Sequence, residues 1–127
     1  MSISNYLELK LLDLTFNATA YAGQSTMYVK LHIGDPGEDC TANPAVETTR
    51  KSLTGAAAAN PGGTFTSVND LIWTNVAATE AYTYISIWDT VGPAGGNPYW
   101  SGPLTANPVT AGDTFTIPTG SLVVTLS

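Results

Sequence analysis

Few side chains in this sequence are equipped for acid–base, nucleophilic or metal chemistry. There is one histidine, His32, and one cysteine, Cys40. A Ser-His-Asp triad would have to use His32, and no G-x-S-x-G elbow accompanies it. A Cys-His nucleophile pair would need Cys40 to reach His32 across Gly34-Asp35-Pro36. Cys40 also has no basic neighbour in the chain to lower its thiol pKa. Zinc is held by several Cys and His ligands, and one of each does not fill a structural site. Asp35, Glu38 and Asp39 supply the hard oxygens that calcium takes, but their spacing matches no EF-hand loop and reads as a solvated turn. The glycines of Gly92-Pro93-Ala94-Gly95-Gly96 lack the lysine and following helix of a phosphate-binding loop. These residues assign no catalytic group, no cofactor and no metal site.

Aromatic side chains offer a second kind of chemistry, stacking on sugar rings. Tyr82, Tyr84, Tyr99 and Trp100 are the candidates for such a platform, with Trp73 and Trp88 nearby in sequence. The competing reading is that they fill a sandwich core or a subunit interface, as large aromatic rings commonly do. Trp88 ends a strongly alternating stretch and reads as a core anchor.

Charge narrows the partners. Lys and Arg number 4 against 10 Asp and Glu, a net charge of −6, so no basic groove for nucleic acid can be assembled. Charged residues make up 11% of the chain, against about 25% in an average soluble domain. Small polar residues take their place, which disfavours a bundle of exposed helices. There is no apolar run long enough to span a membrane as a helix. The opening MSISNYLELK lacks the basic and apolar regions of a secretory signal.

The elements that must carry these residues are mostly short strands. Residues 5–16 read as the one helix. Asn5 serves as N-cap with Glu8 three positions on, and Leu7, Leu11 and Leu14 recur on one face. Alternation over Leu7–Leu11 gives a rival strand reading, outweighed by helix propensity. Leu9 falls off the main apolar face, which makes it a candidate contact with another subunit. Thr26–Ile33 alternates as a half-buried strand, Met27, Val29, Leu31 and Ile33 inward and Tyr28, Lys30 and His32 on the polar side. Further strands are expected at Thr48–Leu53, Phe65–Val68, Leu71–Val76, Tyr82–Trp88, Tyr99–Leu104, Asp113–Ile117 and Leu122–Leu126. Tyr82, Tyr84, Ser86 and Trp88 would share one face. Residues 38–47, the linker-like 55–63 (GAAAANPGG) and 92–98 (GPAGGNP) read as connections. Many short strands between Gly, Pro and Asn turns, in 127 residues, predict one all-β domain over 1–127. Its expected form is a jelly-roll-like antiparallel β-sandwich with one short N-terminal helix.

Taken in order, these pieces resemble a known family. The resemblance runs through Asn5-Tyr6-Leu7-Glu8, Lys10-Leu11-Leu12-Asp13, Thr19-Ala20-Tyr21, Tyr28-Val29-Lys30-Leu31-His32 and Asp35-Pro36-Gly37-Glu38-Asp39. It continues through Ile87-Trp88-Asp89, Gly95-Gly96-Asn97, Tyr99-Trp100-Ser101-Gly102-Pro103-Leu104, Ala111-Gly112-Asp113-Thr114-Phe115 and Leu122-Val123-Val124-Thr125-Leu126. The set is similar to small virion structural proteins of tailed bacteriophages, often labelled tail fibre proteins. Residues 40–70 depart most, matching the family's Tyr-Ala-Arg strand only at Thr49-Arg50-Lys51.

The resemblance implies a non-enzymatic protein, made in the host cytoplasm and carried in the virion. Two roles are open. A fibre shaft is long and repetitive, whereas this chain has no repeat. A capsid decoration (cement) protein has only to dock on a preformed lattice, and that role is preferred. It implies a place on the outer capsid surface, the major capsid protein as partner and a homotrimer, with neither nucleic acid nor membrane bound. Tyr6, Leu9 and Leu14 are the candidate capsid or subunit contacts. Residues 1–16 are either a docking arm or a lid over the chain's own sandwich. The rival role is a tail-fibre or host-binding protein that uses the aromatic platform on surface glycans.

Overall fold

The structure is a computed structural model, which describes residues 1–57 and 63–125. Among the described residues the chain forms ten strands and one helix. They are β1 (Ser2–Ile3), α1 (Asn5–Phe16), β2 (Met27–His32), β3 (Lys51–Leu53), β4 (Gly55–Ala57) and β5 (Thr64–Ser67), followed by β6 (Leu71–Trp73), β7 (Glu80–Trp88), β8 (Pro98–Val109), β9 (Phe115–Ile117) and β10 (Val123–Thr125). All pairings are antiparallel. The main sheet has the order β1-β8-β7-β2-β3, and two smaller sheets have the orders β10-β5-β4 and β6-β9. The expected class, antiparallel β with one N-terminal helix, is the one the chain adopts.

One face of the main sheet carries Val29 and Leu31 of β2 with Ile85 and Ile87 of β7. These meet Leu71 and Trp73 of β6, Phe115 and Ile117 of β9, and Val124 of β10 in a single buried cluster. Here alternation did its work: every second residue of β2 is apolar, and the pleat sends that set to one side. The opposite face carries Tyr28, Lys30 and His32, aligned with Trp88, Ser86 and Tyr84. It is not left to solvent. The loop of residues 33–45 and α1 lie over it, so the main sheet is covered on both sides.

The strand pattern needs correction where the ladder is irregular. Tyr82 and Tyr84 do not share a face, although they are two residues apart. Between them β8 carries two more residues than β7, since Tyr82 pairs with Asn107 and Tyr84 with Pro103. This irregularity turns Tyr82 into the main cluster, with its ring centroid 5.0 Å from that of Phe115. Tyr84, Ser86 and Trp88 stay on the opposite face. β8 also runs on to Val109, past the expected end at Leu104, because β7 offers it a partner as far as Glu80. Two short strands were not expected at all. β1 has only two residues, too few for a period, and β4 lies in the stretch read as linker. Gly55 suits β4 for a packing reason: a Cβ there would run into the Phe65 ring and the Thr66 carbonyl. The rest of the GAAAANPGG reading, at 58–62, and the strand end at Leu126 lie outside the described residues.

Candidate functional site

The N-terminal segment is built from its cap outward. The helix occupies the expected residues, but its N-cap is Ser4, not Asn5. Ser4 has the extended backbone of a cap, and its Oγ accepts the Leu7 N–H at 3.2 Å. The same hydroxyl donates to Pro98 O at 2.6 Å, and Ser4 N–H donates to Tyr99 O at 2.9 Å. Asn5 is instead the link to the 33–45 loop. Its N–H donates to Glu38 O at 3.2 Å, and its Nδ2 donates to Asp39 Oδ1 at 3.0 Å. β1 adds two register pairs, Ser2 with Ser101 and Ile3 with Trp100. The first turn is therefore fastened to the sheet at several points.

Packing of the helix is one-ended. Leu7 is buried, and the Tyr6 ring meets Tyr99 edge-on at 5.3 Å. Beyond that, the expected face of Leu7, Leu11 and Leu14 does not form a buried stripe. Leu14 is 45% exposed, Leu9 57%, Leu12 54% and Phe16 78%. The first turn is the part held on the sheet, and past it these apolar side chains stand largely open among the described residues. Among the sequence candidates, Tyr6 thus lies under the helix, while Leu9 and Leu14 are outward.

The buried layer beneath α1 holds the polar chemistry. His32 lies on the side of β2 that reads as polar, and it is fully buried there because the 33–45 loop closes over that side. Its Nδ1 lies 2.9 Å from Ala42 O, which can only accept, so Nδ1 carries the proton. Nε2 then accepts from the Ser86 hydroxyl at 2.7 Å, and Ser86 Oγ in turn accepts the Trp88 Nε1–H at 2.7 Å. Burial holds the His32 pKa below its ordinary value, and the charges of Lys30 and Arg50 act in the same direction. A neutral histidine with both ring nitrogens occupied is a core group, not a free base.

Arg50 closes the layer at its other end, and no sequence pattern singled it out for this. Its guanidinium lies over the Trp88 ring, 4.3 Å from the centroid, and it is buried. Nη1 donates to Thr90 O at 3.1 Å, Thr90 Oγ1 at 2.9 Å and Gly95 O at 3.1 Å. The residue thereby pins the 89–97 turn onto β7. Asp89 completes that turn by accepting Asn97 N–H at 2.7 Å and Asn97 Nδ2–H at 2.9 Å. Gly96 has φ +79°, and a Cβ there would collide with the Thr90 and Asp89 side chains, so the glycine is required. Desolvation lowers the pKa of Arg50, opposed by Asp89. Glu47 and Glu80 are also structural: Glu80 accepts the N–H groups of Val46 and Glu47, and Glu47 accepts those of Thr49 and Ala77.

The remaining candidates do not converge on a catalytic arrangement. Cys40 is buried, and burial pushes its thiol up to about 11, so it is no ready nucleophile. Asp35 accepts Gly37 N–H, and Asp39 is engaged by Asn5. Among the described residues, no group of three or more His, Cys, Asp or Glu is placed to hold a metal ion. Asp35, Glu38 and Tyr84 share an open hollow of about 340 Å³ with Met1, Ser101 and Pro103. Of the four aromatic candidates, Tyr82 and Tyr99 are buried, and Tyr84 and Trp100 are half-buried. Tyr82 and Trp100 belong to or pack on the main cluster, while Tyr84 and Tyr99 lie on the other side of the sheet. The four do not form one exposed strip. Among the described residues, no helix is long and apolar enough to cross a membrane.

Residues 2–125 match the profile of a protein family described as podophage GP4 fiber I protein gp80. The chain belongs to this family and is a structural protein of the phage virion. No curated protein matches it.

Proposed function

We propose that this member of the fiber I family is a capsid decoration protein. It docks without catalysis on the lattice of the major capsid protein, at the outer surface of the head, as a homotrimer that bridges neighbouring subunits. The observation that carries this reading is the outer side of α1. Leu9, Leu12, Leu14 and Phe16 are exposed on a helix whose first turn is fixed to the sheet. A fixed helix that presents large apolar side chains is suited to protein–protein contact. Leu9 and Leu14 are assigned to that contact, with Tyr6 holding the helix at the required angle.

A second reading is favoured by the family description, which names a fiber protein. In that role the chain would be a tail-fibre or host-binding component. Recognition of glycans through stacked aromatics draws little support from the geometry, since Tyr82, Tyr99, Trp73 and Trp88 are buried.

Separation of disrupted virions into heads and tails, followed by immunodetection and cryo-electron microscopy of the positive fraction, tests the assignment. Density for this domain repeating over the head lattice is the expected result. Recovery with the tail fraction overturns the decoration role and establishes the fibre role.

A further inference from the structure

The layer between the main sheet and α1 contains a titratable group that the structural role does not use. His32 is fully buried, and the segment that covers it makes several of its contacts around this residue, with Ala45 in the main cluster and Pro36 and Cys40 also buried. The ring donates to Ala42 O, and His32 bridges to Pro44. On either side, Ile33 N–H donates to Asn43 O at 3.0 Å, and Ala45 N–H donates to Leu31 O at 3.2 Å. The same loop supplies Glu38 O and Asp39 Oδ1, which hold Asn5 at the start of α1. The backbone of the loop thus links the His32 ring to the base of the helix.

We propose that His32 is a proton-operated latch: uptake of one proton by its ring releases the 33–45 loop, and with it the first turn of α1, from the sheet. The hydrogen-bond pattern supplies the reason. Nδ1 already carries a proton, so the new one must sit on Nε2. Nε2 then loses its bond from the Ser86 hydroxyl and points a second N–H at an oxygen that already receives the Trp88 indole N–H. The positive charge sits near two others of the same sign, half-buried Lys30 on its own strand and buried Arg50 from the segment before β3; the Ala42 and Asn43 backbone bonds act the other way without offsetting burial. Tyr84 and Ser86 face it from β7, and the loop contributes Cys40 as a neutral thiol. Asp35 and Asp39 belong to the moving loop, and Asp39 is already engaged with Asn5. Opening the loop is the move that gives the imidazolium water.

The sign follows from linkage. The folded pKa of His32 lies below its ordinary 6.5. The closed loop is therefore fully stabilised above that value and loses its advantage as pH falls towards the folded pKa. Opening coupled to one proton grows about tenfold per pH unit between the ordinary 6.5 and the folded midpoint, and levels off below it.

Amide hydrogen exchange between about pH 7.5 and about pH 4.5, corrected for intrinsic rates, tests the latch across the range where histidine titrates. From the ordinary 6.5 down to the folded midpoint of the ring, protection at residues 33–45 and 5–8 is expected to fall about tenfold per unit, while the β7–β8 ladder stays protected. His32→Gln keeps one donor and one acceptor but cannot take the proton, and its loop protection should be flat with pH. The same pH dependence in His32→Gln overturns the proposal, as does loss of the β7–β8 amides in step with the loop. Should His32→Gln not fold, carbon NMR of the wild-type ring decides. A ring titration that coincides with loop opening supports the latch. A ring that stays neutral throughout, or a loop that opens more than about one pH unit from the ring midpoint, overturns it.

Discussion

Trp88 shows how much one side chain can hold when three kinds of contact meet on it. Its ring is buried, its Nε1 donates to Ser86, and the Arg50 guanidinium lies on its face. Trp88→Ala is expected to cost roughly 3–5 kcal/mol, a large part of the roughly 5–15 typical of a domain. The loss has two sources: the cavity itself, and an Arg50 charge left buried without its stacking partner. Urea denaturation followed by circular dichroism checks it, and an unchanged midpoint would place the ring in solvent. Cys40 gives a second expectation at this scale. With its thiol pushed up to about 11 by burial, the folded protein should resist a thiol-specific reagent near pH 8 and react stoichiometrically once denatured. Rapid labelling of the native protein would show that the 33–45 loop does not hold this side chain buried against the sheet.

The elements divide the helix into two parts with separate roles. β1, Ser4, Asn5, Tyr6 and Leu7 bind the segment to β8 and the 33–45 loop, which makes the first turn a lid on the buried face. The later turns present Leu9 and Leu14 outward. Removal of residues 1–16 is therefore expected to expose Tyr99 and the layer around it and to aggregate the domain. That truncation makes a poor docking test, because it removes lid and contact together. The double substitution Leu9→Glu and Leu14→Glu separates them. Both positions are solvent-facing, so melting should move by no more than ~0.5 kcal/mol equivalent per site, while capsid binding is lost. Sedimentation with purified heads reads the binding. Retained full occupancy would move the contact to the loops around 35–48 or 92–98.

For the whole molecule, the expectation is self-association. Among the described residues nothing covers the exposed leucines and Phe16 of α1, and durable interfaces tend to be large and apolar. Multi-angle light scattering at micromolar concentration should return a trimer, and the Leu9→Glu, Leu14→Glu protein a smaller species if the same face joins the subunits. A wild-type monomer that also fails to assemble on heads would remove this basis for the decoration role. A trimer unaffected by the double substitution would place the subunit interface elsewhere and leave α1 to the capsid.

By itself the sequence determined whatever depends on local pattern. Alternation in β2 and β7 sent Val29, Leu31, Ile85 and Ile87 to one face, and the helix span 5–16 followed from its propensity. The scarcity of His, Cys and basic residues by itself constrains the chemistry. The tertiary structure decided what depends on distant partners. Whether the polar side of β2 meets water is settled by a loop that folds back over it, so His32 is buried although its pattern reads as exposed. The split of Tyr82 from Tyr84 comes from extra residues on β8, which the period of β7 cannot register. The N-cap passed from Asn5 to Ser4 because Pro98 and Tyr99 offer that residue carbonyl acceptors and the 33–45 loop claims Asn5. Arg50, which no local pattern marked for burial, became a buried clamp because β3 brings it alongside Trp88 and the 89–97 turn. In each case the deciding contact joins residues far apart in the chain, and a local period contains no information about it.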